Sequence, residues 1–304
     1  MNHLEQRVAS SWVDHTAYPF RSRFFDASDG RMHYIDEGRG APLVLVHGTP
    51  TWSFLYRHLI ASLSRSFRVV AVDHLGFGLS QKPERAPYRP EDHARRLTAL
   101  IRHLRLADVT LVVHDFGGPI GLSYAIEHPD NVRALVLFNT WLWSLAGDPR
   151  VQRASALAAG PLGRLLYRRL NASPRWLMPL VYGNRARLTP EIHAHYTKPF
   201  GSAAERTAPW VLARELAGSA DWYESLWARR AALASKPSLL LWGMKDPTFG
   251  IDTVARWREV FPAAELEEFP DAGHFVPEEI GLALVPRIAS FARRSAYHGV
   301  LRAG

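Results

Sequence analysis

Three side chains capable of acid, base or nucleophilic chemistry each come shortly after a stretch expected to form a strand. Asp115 follows the β-branched run Val109–Val113 and is followed closely by two glycines, Asp246 follows the apolar run 238–242, and His274 follows the expected strand 265–269. Parallel strands present their carboxyl ends at one edge of a sheet, where enzymes of this architecture place their working groups. The spacing therefore predicts that the three side chains meet in one site.

A carboxylate at the first of these positions predicts a different reaction from a serine. An aspartate side chain is already ionised at neutral pH and needs no base to activate it. Asp115 could displace a leaving group from a saturated carbon and become an ester. His274 is then the candidate base for the water that hydrolyses this ester, and Asp246 is the candidate group that orients His274.

The remaining pattern predicts the elements that must position these residues. A turn at Asp29-Gly30 joins two short strands. Further strands are expected at 42–47, 68–73, 109–113, 132–138, 238–242 and 265–269, and helices at 52–63, 90–104, 120–128, 252–260 and from Pro277 onward. This alternation predicts an α/β fold with a mostly parallel sheet and helices on both faces.

The pattern changes between Asn139 and Ala234. This segment is rich in Ala, Leu, Arg and Trp, is interrupted by prolines and contains no clear strand. We therefore expect a helical cap at residues 140–234, inserted after the sixth strand of a core made of residues 18–139 and 235–295.

Several motifs resemble those of the haloalkane dehalogenase family within the α/β-hydrolase superfamily. They are Tyr34-Ile35-Asp36-Glu37-Gly38, His47-Gly48-Thr49-Pro50, Gly76-Phe77-Gly78-Leu79-Ser80, His114-Asp115-Phe116-Gly117-Gly118, Asn139-Thr140-Trp141, Gly243-Met244-Lys245-Asp246 and Gly273-His274-Phe275. The resemblance covers roughly residues 18–291 and is weakest in the cap. It implies the α/β-hydrolase fold, with the nucleophile on a sharp turn between a strand and a helix and with the triad in the order nucleophile, acid, histidine.

The resemblance also implies roles for individual residues. Asp115, His274 and Asp246 match the subfamily with an Asp–His–Asp triad. The backbone amides of Thr49 and Phe116 would form the oxyanion hole for the tetrahedral intermediate. The implied substrate is a small or medium apolar organic molecule, and neither a cofactor nor a metal is implied.

Two positions depart from the pattern of the family. Members hold the departing halide between side-chain N–H donors, with a Trp directly after the nucleophile and, in this subfamily, an Asn after His-Gly. This chain has Phe116 and Thr49 at those positions, and a phenylalanine side chain has no donor. We expect the leaving-group or pocket contacts to come from Thr49, Asn139 or Trp141.

Three functions therefore stay open. The first is hydrolysis of a haloalkane to an alcohol and a halide through an ester on Asp115. The second uses the same triad on an epoxide or a β-lactone, and an epoxide would be favoured by two cap tyrosines that point at Asp115, from among Tyr167, Tyr182, Tyr196 and Tyr223. The third is a ligand-binding protein without activity, which the presence of all three triad residues disfavours.

Composition and charge narrow the possible partners of this chain of 304 residues. It is 47% apolar, has no cysteine and carries a formal charge of +8. Scattered arginines without a nucleic-acid-binding motif give no reason to expect a nucleic acid partner. The basic amphipathic segment Leu162–Leu170 could contact an anionic membrane, but we expect its leucines to pack in the core.

The sequence also favours a cytoplasmic protein without stable membrane insertion. Met1–Tyr18 contains Glu5 and Asp14 and has no continuous apolar core, so we expect no signal peptide. No run approaches the ~18 apolar residues that a membrane helix needs. The oligomeric state is left open.

Other polar residues have simpler interpretations. We expect His47 and His114 to satisfy loop backbone groups near the site rather than to act chemically. His193 and His195 are two residues apart, which is poor spacing for one helix face, so no metal site is expected there.

Overall fold

One sheet organises the molecule. The computed structural model describes residues 11–300, so most of the segment in which we expect no signal peptide, Met1–Ser10, lies outside the described residues. The strands are β1 Arg23–Ala27, β2 Gly30–Gly38, β3 Pro42–Val46, β4 Arg68–Val72, β5 Val109–His114, β6 Val132–Phe138, β7 Ser238–Gly243 and β8 Glu265–Phe269. Their order across the sheet is β1-β2-β4-β3-β5-β6-β7-β8. β2 is antiparallel to β1 and β4 and the other pairs are parallel, which confirms the predicted mostly parallel sheet.

Helices connect the strands and cover both faces of the sheet. The α-helices are α1 Arg57–Leu63, α2 Pro90–His103, α3 Gly117–Glu127, α4 Pro149–Ala159, α5 Pro161–Arg164, α6 Met178–Leu180, α7 Pro190–Thr197, α8 Thr207–Gly218, α9 Ala220–Ala228, α10 Ile251–Val260, α11 Val276–Glu279 and α12 Val285–Val300. Short 3₁₀ helices lie at Ser53–Tyr56, Pro129–Asn131, Arg185–Arg187, Arg230–Leu233 and Gly281–Leu284, and π-helical turns at Leu165–Arg169 and Ser173–Leu177.

Two hydrophobic cores lie on opposite faces of the sheet, because successive strand side chains point to opposite sides. On β3, Val44 and Val46 belong to the core that also contains side chains of α2, α3 and α10. Leu43 and Leu45 belong to the other core, with side chains of α1 and α12. The sheet is therefore a rigid platform, buried on both faces, that holds the ends of its strands in fixed positions.

The segment between β6 and β7 contains α4 to α9 and, within the described residues, no strand. It is the region in which a helical cap is expected, and the cap boundaries 140–234 stay a prediction. No helix within residues 11–300 combines the length and the apolarity needed to cross a bilayer.

One expectation about this segment is wrong. Leu162, Leu165 and Leu170 do not pack in the core, since they are 56%, 48% and 40% exposed. The inward contacts of this segment are made by other residues. Gly163 is buried with its backbone close to Leu157 O of α4, Tyr167 is partly buried, and Arg168 Nε donates to Ala203 O at 3.0 Å.

Two predicted helices are divided in the structure. The stretch 52–63 begins as a 3₁₀ helix before α1, and the stretch after Pro277 forms α11, a 3₁₀ helix and then α12. Pro286 lies in the first turn of α12, where a residue without an amide N–H is well tolerated. A second helix start was therefore present in the sequence but hidden within a continuous apolar pattern.

Candidate active site

Asp115 lies on the sharp turn between β5 and α3. Its φ of 53° is in the left-handed region, which is uncommon for a residue with a Cβ and is a source of local strain. Thr140 holds this turn, because its Oγ1 donates to Asp115 O at 2.5 Å. The turn thus presents the carboxylate above the carboxyl ends of the parallel strands.

The loop after β3 approaches this carboxylate closely. The Thr49 amide donates to Asp115 Oδ1 at 2.8 Å. A Cβ on Gly48 would lie 2.1 Å from the same oxygen, so no residue larger than glycine fits there without displacing Asp115. Of the two predicted amide donors, Thr49 bonds the carboxylate and Phe116 has no such bond within the described chain.

His274 lies between two carboxylates. Its Nδ1 is 2.7 Å from Asp246 Oδ2, and its Nε2 is 3.4 Å from Asp115 Oδ2. Burial by itself lowers the pKa of His274, but the charges and hydrogen bonds of Asp246 and Asp115 outweigh it and raise the pKa to about 10. The free protein therefore holds an imidazolium here at neutral pH.

Asp246 is buried and satisfied from several directions. Its Oδ2 accepts from Asn139 Nδ2 at 2.9 Å in addition to His274, and its Oδ1 accepts from the amides of Thr248 and Phe249 at 2.8 and 3.2 Å. Burial acts to raise the pKa of Asp246, but the His274 imidazolium and these hydrogen bonds hold it below the ordinary value. The residue is thus an ionised group that fixes the imidazole.

Asn139 is committed to this support. Besides Asp246, its Nδ2 donates to Gly243 O at 3.0 Å, and its Oδ1 accepts from the Gly243 amide at 2.8 Å. Asn139 also has a φ of 22°, so its backbone turns sharply at the end of β6. The structure therefore places Asn139 behind Asp246 rather than beside a leaving group.

His47 and His114 make the backbone contacts that we expect from them. His47 Nδ1 is 2.7 Å from Gly48 O, which steadies the loop that carries the Thr49 amide. His114 Nε2 is 2.9 Å from His274 O, and burial followed by the positive charge of His274 lowers the pKa of His114 to about 3. Both rings are therefore neutral supports of loops at the site.

Two buried glutamates that sequence reasoning missed tie the site to the cap. Glu279 accepts from the Gly273 amide at 2.8 Å and from the amides of Gly183 and Asn184 at 3.3 and 3.0 Å. Glu278 pairs with Arg57, with one N···O distance of 2.5 Å, and accepts from the Tyr196 hydroxyl. In the sequence both are ordinary acidic residues of a first helical turn, so no signal distinguished them.

A cavity of about 190 Å³ lies above Asp115. This is far more space than the roughly 10–15 Å³ that one water needs. Its lining includes the predicted residues Asp115, His274, Thr49 and Phe116, and the remaining lining side chains are Pro50, Ala154, Tyr167, Ser173, Leu177, Met178, Val181, Pro209, Ala213, Leu216, Thr248, Phe249 and Phe275. The lining is mainly apolar, which suits an apolar substrate.

The predicted pocket contact Trp141 lies one layer away from this cavity. Its ring stacks on Phe249 at 4.9 Å between centroids and meets Phe116 edge-on at 4.9 Å. Its buried Nε1 has no hydrogen-bond partner in the described chain. Trp141 thus sets the positions of two lining rings, and neither it nor Asn139 is itself part of the lining.

Four side chains of the cavity lining carry a hydroxyl group: Thr49, Tyr167, Ser173 and Thr248. Thr49 Oγ1 is buried and has no hydrogen-bond partner among the described residues. Of the four cap tyrosines, only Tyr167 belongs to the cavity lining. Tyr196 bonds Glu278, Tyr223 donates to Glu215 O at 3.1 Å, and Tyr182 packs on Phe275 outside the lining. The paired tyrosines expected of an epoxide site are therefore not both at Asp115.

In the described residues, no group of His, Asp and Glu could hold a metal ion.

Comparisons of the sequence identify the superfamily and close relatives. The alpha/beta hydrolase fold family matches residues 41–279. Haloalkane dehalogenase 2 of Mycobacterium tuberculosis is 39% identical over 281 residues, which are 90% of this chain and 97% of that protein. The cis-3-alkyl-4-alkyloxetan-2-one decarboxylase of Shewanella oneidensis is 32% identical over 285 residues, 91% of this chain and 89% of that protein.

Comparison of the fold with solved structures identifies haloalkane dehalogenases again. A crystal structure of a haloalkane dehalogenase from Agrobacterium tumefaciens superposes with a TM-score of 0.82 at 28% identity, covering 93% of this chain and 100% of that one. The haloalkane dehalogenase of Bradyrhizobium elkani gives a TM-score of 0.80 at 26% identity, with coverages of 90% and 99%. These findings confirm the predicted fold class and support a hydrolase that resembles the dehalogenases. The chain belongs to the haloalkane dehalogenase family of the α/β-hydrolase superfamily.

Proposed function

We propose that this protein hydrolyses small apolar haloalkanes to alcohols and halides through a covalent ester on Asp115. The observation that carries the proposal is the division of labour between the two oxygens of Asp115. Oδ1 accepts from the Thr49 amide at 2.8 Å, while Oδ2 lies 3.4 Å from His274 Nε2, and Asp115 itself belongs to the cavity lining. One oxygen is held by a backbone amide, and we assign the attack on the substrate to the other.

In the first step, Asp115 Oδ2 attacks the carbon that bears the halogen. The new C–O bond forms as the C–X bond breaks, and the halide leaves with the electron pair. In the second step, water attacks Asp115 Cγ while His274 Nε2 takes its proton, and negative charge develops on Oδ1, where the Thr49 amide is already aligned. Collapse of this intermediate breaks the bond from Cγ to the alkyl oxygen, which takes the proton from the His274 imidazolium and leaves as the alcohol. The remaining carboxyl group gives its proton to the imidazole, which restores the carboxylate.

The electrostatics of His274 support this order of events. In the free protein the imidazole has two carboxylate neighbours and a pKa of about 10, so it is protonated and a poor base. Conversion of Asp115 to a neutral ester removes one of the two charges that raise this pKa. The pKa of His274 therefore falls at the stage that requires a neutral base.

The leaving halide needs a hydrogen-bond donor, since a charge in an apolar cavity is costly without one. Phe116 offers none, and the Thr49 hydroxyl is the buried donor in the lining that has no other partner among the described residues. We assign the leaving-group contact to Thr49 Oγ1, with the Tyr167 hydroxyl as the second candidate donor.

A second candidate function is opening of a strained oxygen ring, an epoxide or a β-lactone, by the same triad. It is favoured by the phenylalanine at position 116, because a ring oxygen needs a proton or one hydroxyl donor rather than two N–H donors. The similarity to an oxetan-2-one decarboxylase points in the same direction.

A substrate panel separates these functions. Halide release is measured for 1-bromoalkanes of increasing chain length, beside turnover of matched epoxides and β-lactones, with Asp115→Asn as the inactive control. Bromide release that Asp115→Asn abolishes supports the first function. Turnover of an epoxide or β-lactone without bromide release contradicts the first function and supports the second. Absence of turnover with every class contradicts both.

A further inference from the structure

Large apolar side chains are exposed in one part of the cap. Nine such side chains are exposed in the described part of the chain, and seven of them lie between Leu157 and Leu180. We call these seven the apolar cap patch: Leu157, Leu162, Leu165, Leu170, Trp176, Leu177 and Leu180, which are 40% to 59% exposed. Clustered exposure of this kind marks an interaction surface more often than isolated apolar residues do.

The patch faces outward because the other side of the same elements is already packed. On α4, the buried positions are Val151, Ser155 and Ala158, and Ser155 Oγ donates to Ala213 O of α8 at 3.2 Å. Leu157 lies outside this buried stripe and is exposed. Its side chain is therefore not needed to join α4 to α8.

The charged residues of the segment that carries the patch have a single sign. Between Pro149 and Arg187 the sequence contains no Asp, Glu or Lys. The charged residues there are eight arginines: Arg150, Arg153, Arg164, Arg168, Arg169, Arg175, Arg185 and Arg187. An apolar surface interspersed with cations matches the boundary between headgroups and acyl chains of an anionic bilayer.

Several of these arginines have no competing acidic partner. Arg150 pairs with Asp148, and Arg168 approaches Glu84 at 3.5 Å. Arg164, Arg169 and Arg175 form no ion pair with any residue in the described chain. Arg164 and Arg169 line a surface groove together with Leu165, Arg168 and Glu84. Glu84 is the acidic residue of this lining and approaches Arg168, so three arginines face one carboxylate in the groove. The groove is a place where the phosphate of a lipid headgroup could be neutralised next to an apolar contact.

The patch adjoins the entrance of the candidate active site. Leu177 belongs both to the patch and to the cavity lining. Ala154 of α4 is a second lining residue that is exposed. The cavity therefore reaches the surface at the edge of the patch. A molecule leaving the bilayer there would pass from one apolar environment into another.

We propose that the apolar cap patch and its arginines dock this protein on an anionic membrane surface. The contact is peripheral: leucine and tryptophan side chains enter the headgroup boundary, and the arginines neutralise phosphates. A second copy of the chain is a poorer occupant, because a two-fold contact would bring two sets of arginines together without an acidic residue between Pro149 and Arg187 to offset them.

Vesicle binding of the full chain tests the proposal without any substrate, so the result does not depend on the leaving group. The protein is sedimented with vesicles of phosphatidylcholine alone or mixed with phosphatidylglycerol. We expect binding to the anionic vesicles and weak binding to the neutral ones. Binding is expected to fall between about 0.01 M and about 1 M salt, where the screening length shortens from roughly 30 Å to roughly 3 Å.

Variants locate the contact. Replacement of Arg164, Arg169 and Arg175 by Gln is expected to reduce the anionic partition coefficient on the order of a hundredfold, since each cation near such a surface contributes about 1 kcal/mol. The matched control replaces three exposed arginines outside the cap, Arg39, Arg65 and Arg102, by Gln. It removes the same total charge and is expected to change the coefficient by less than about tenfold.

The apolar part is tested separately. Leu162→Ser with Leu165→Ser is compared with Ile251→Ser with Leu282→Ser, the two exposed apolar residues that lie outside the patch. The first pair is expected to weaken vesicle binding at constant charge, and the second pair to leave it unchanged. The melting temperature of each variant is measured to check that it folds.

Equal effects of the cap and control variants would overturn the proposal, as would equal binding to neutral and anionic vesicles or no binding to either. A concentration-dependent oligomer that the Leu162 and Leu165 replacements dissociate, without vesicle binding, would assign the patch to a second copy instead.

Discussion

His274 Nε2 lies 3.4 Å from Asp115 Oδ2, on the side of the ring opposite Asp246. The imidazole therefore has a permanent neighbour, Asp246, and a neighbour whose charge disappears when an ester forms on Asp115. The imidazole is thus held as a cation in the resting protein, and the fall of its pKa on ester formation makes it available as a neutral base in the proposed intermediate. This coupling generates several of the predictions below.

Removal of the base is expected to trap the intermediate. In His274→Phe, ester formation needs no base and continues, whereas hydrolysis slows by about 10²–10⁴-fold. Intact-protein mass spectrometry after incubation with a bromoalkane is expected to show one added alkyl group. The double variant with Asp115→Asn is the control and is expected to show no adduct. Normal multiple turnover by His274→Phe would refute the assigned base.

Stability is expected to depend on pH through His274. Its pKa rises from an ordinary value of about 6.5 in the unfolded chain to about 10 in the folded protein. The folded state therefore binds the proton more tightly, and the extra stability is fully present below pH ~6.5 and is lost as the pH rises towards about 10.

The measurement is urea unfolding of the wild type and of His274→Gln across this pH window. The wild-type free energy of unfolding is expected to fall relative to the variant, by at most about 1.4 kcal/mol per pH unit. Parallel pH profiles of the two proteins would show that His274 is not held as a cation between its carboxylates.

Thr49→Val separates the hydroxyl of Thr49 from its amide. The replacement keeps the shape and the N–H bonded to Asp115 but removes Oγ1, which is buried without a partner in the described chain. We expect kcat/KM to fall roughly 10-fold to 100-fold, because a hydrogen bond to a charged leaving group is lost. The melting temperature is not expected to fall. Thr49→Ser is expected to retain activity, and equal losses in both variants would contradict the leaving-group role.

Phe116→Trp tests whether the missing donor limits halide release. The new indole would bring an N–H to a residue that lines the cavity directly after Asp115. Bromide release is expected to increase about tenfold, in keeping with a charge-assisted hydrogen bond to the ion. Phe116→Leu changes the size without adding a donor and is the control. A gain confined to epoxide or lactone substrates would favour the second candidate function.

The sequence predicted the framework of this molecule well. The expected strands 132–138 and 265–269 have the same limits as β6 and β8. β6 is a largely apolar run, whereas β8 has the sequence Glu-Leu-Glu-Glu-Phe and lies at the edge of the sheet, where charged side chains are tolerated. Asp115, Asp246 and His274 came together because each follows a strand of one parallel sheet. Chain order and strand ends are local properties, and local properties can be inferred from a single sequence.

The side-chain environments were harder to infer. Asn139 and Trp141 follow the same strand and were equally plausible pocket residues, yet one binds Asp246 and the other packs behind Phe249. The leucines of Leu162–Leu170 have a pattern that fits burial, but Gly163, Tyr167 and the Arg168 guanidinium make the inward contacts. Periodicity shows that a helix has two faces; which face finds a partner depends on tertiary packing.

The most direct test of the account is a single turnover of an accepted substrate by excess enzyme in heavy-oxygen water, followed by mass analysis of the peptide that contains Asp115. The ester route predicts that the label enters the Asp115 carboxylate and that the released alcohol carries an unlabelled oxygen from the protein. Label in the alcohol with an unlabelled Asp115 peptide would show direct attack of water on the substrate and would contradict the account.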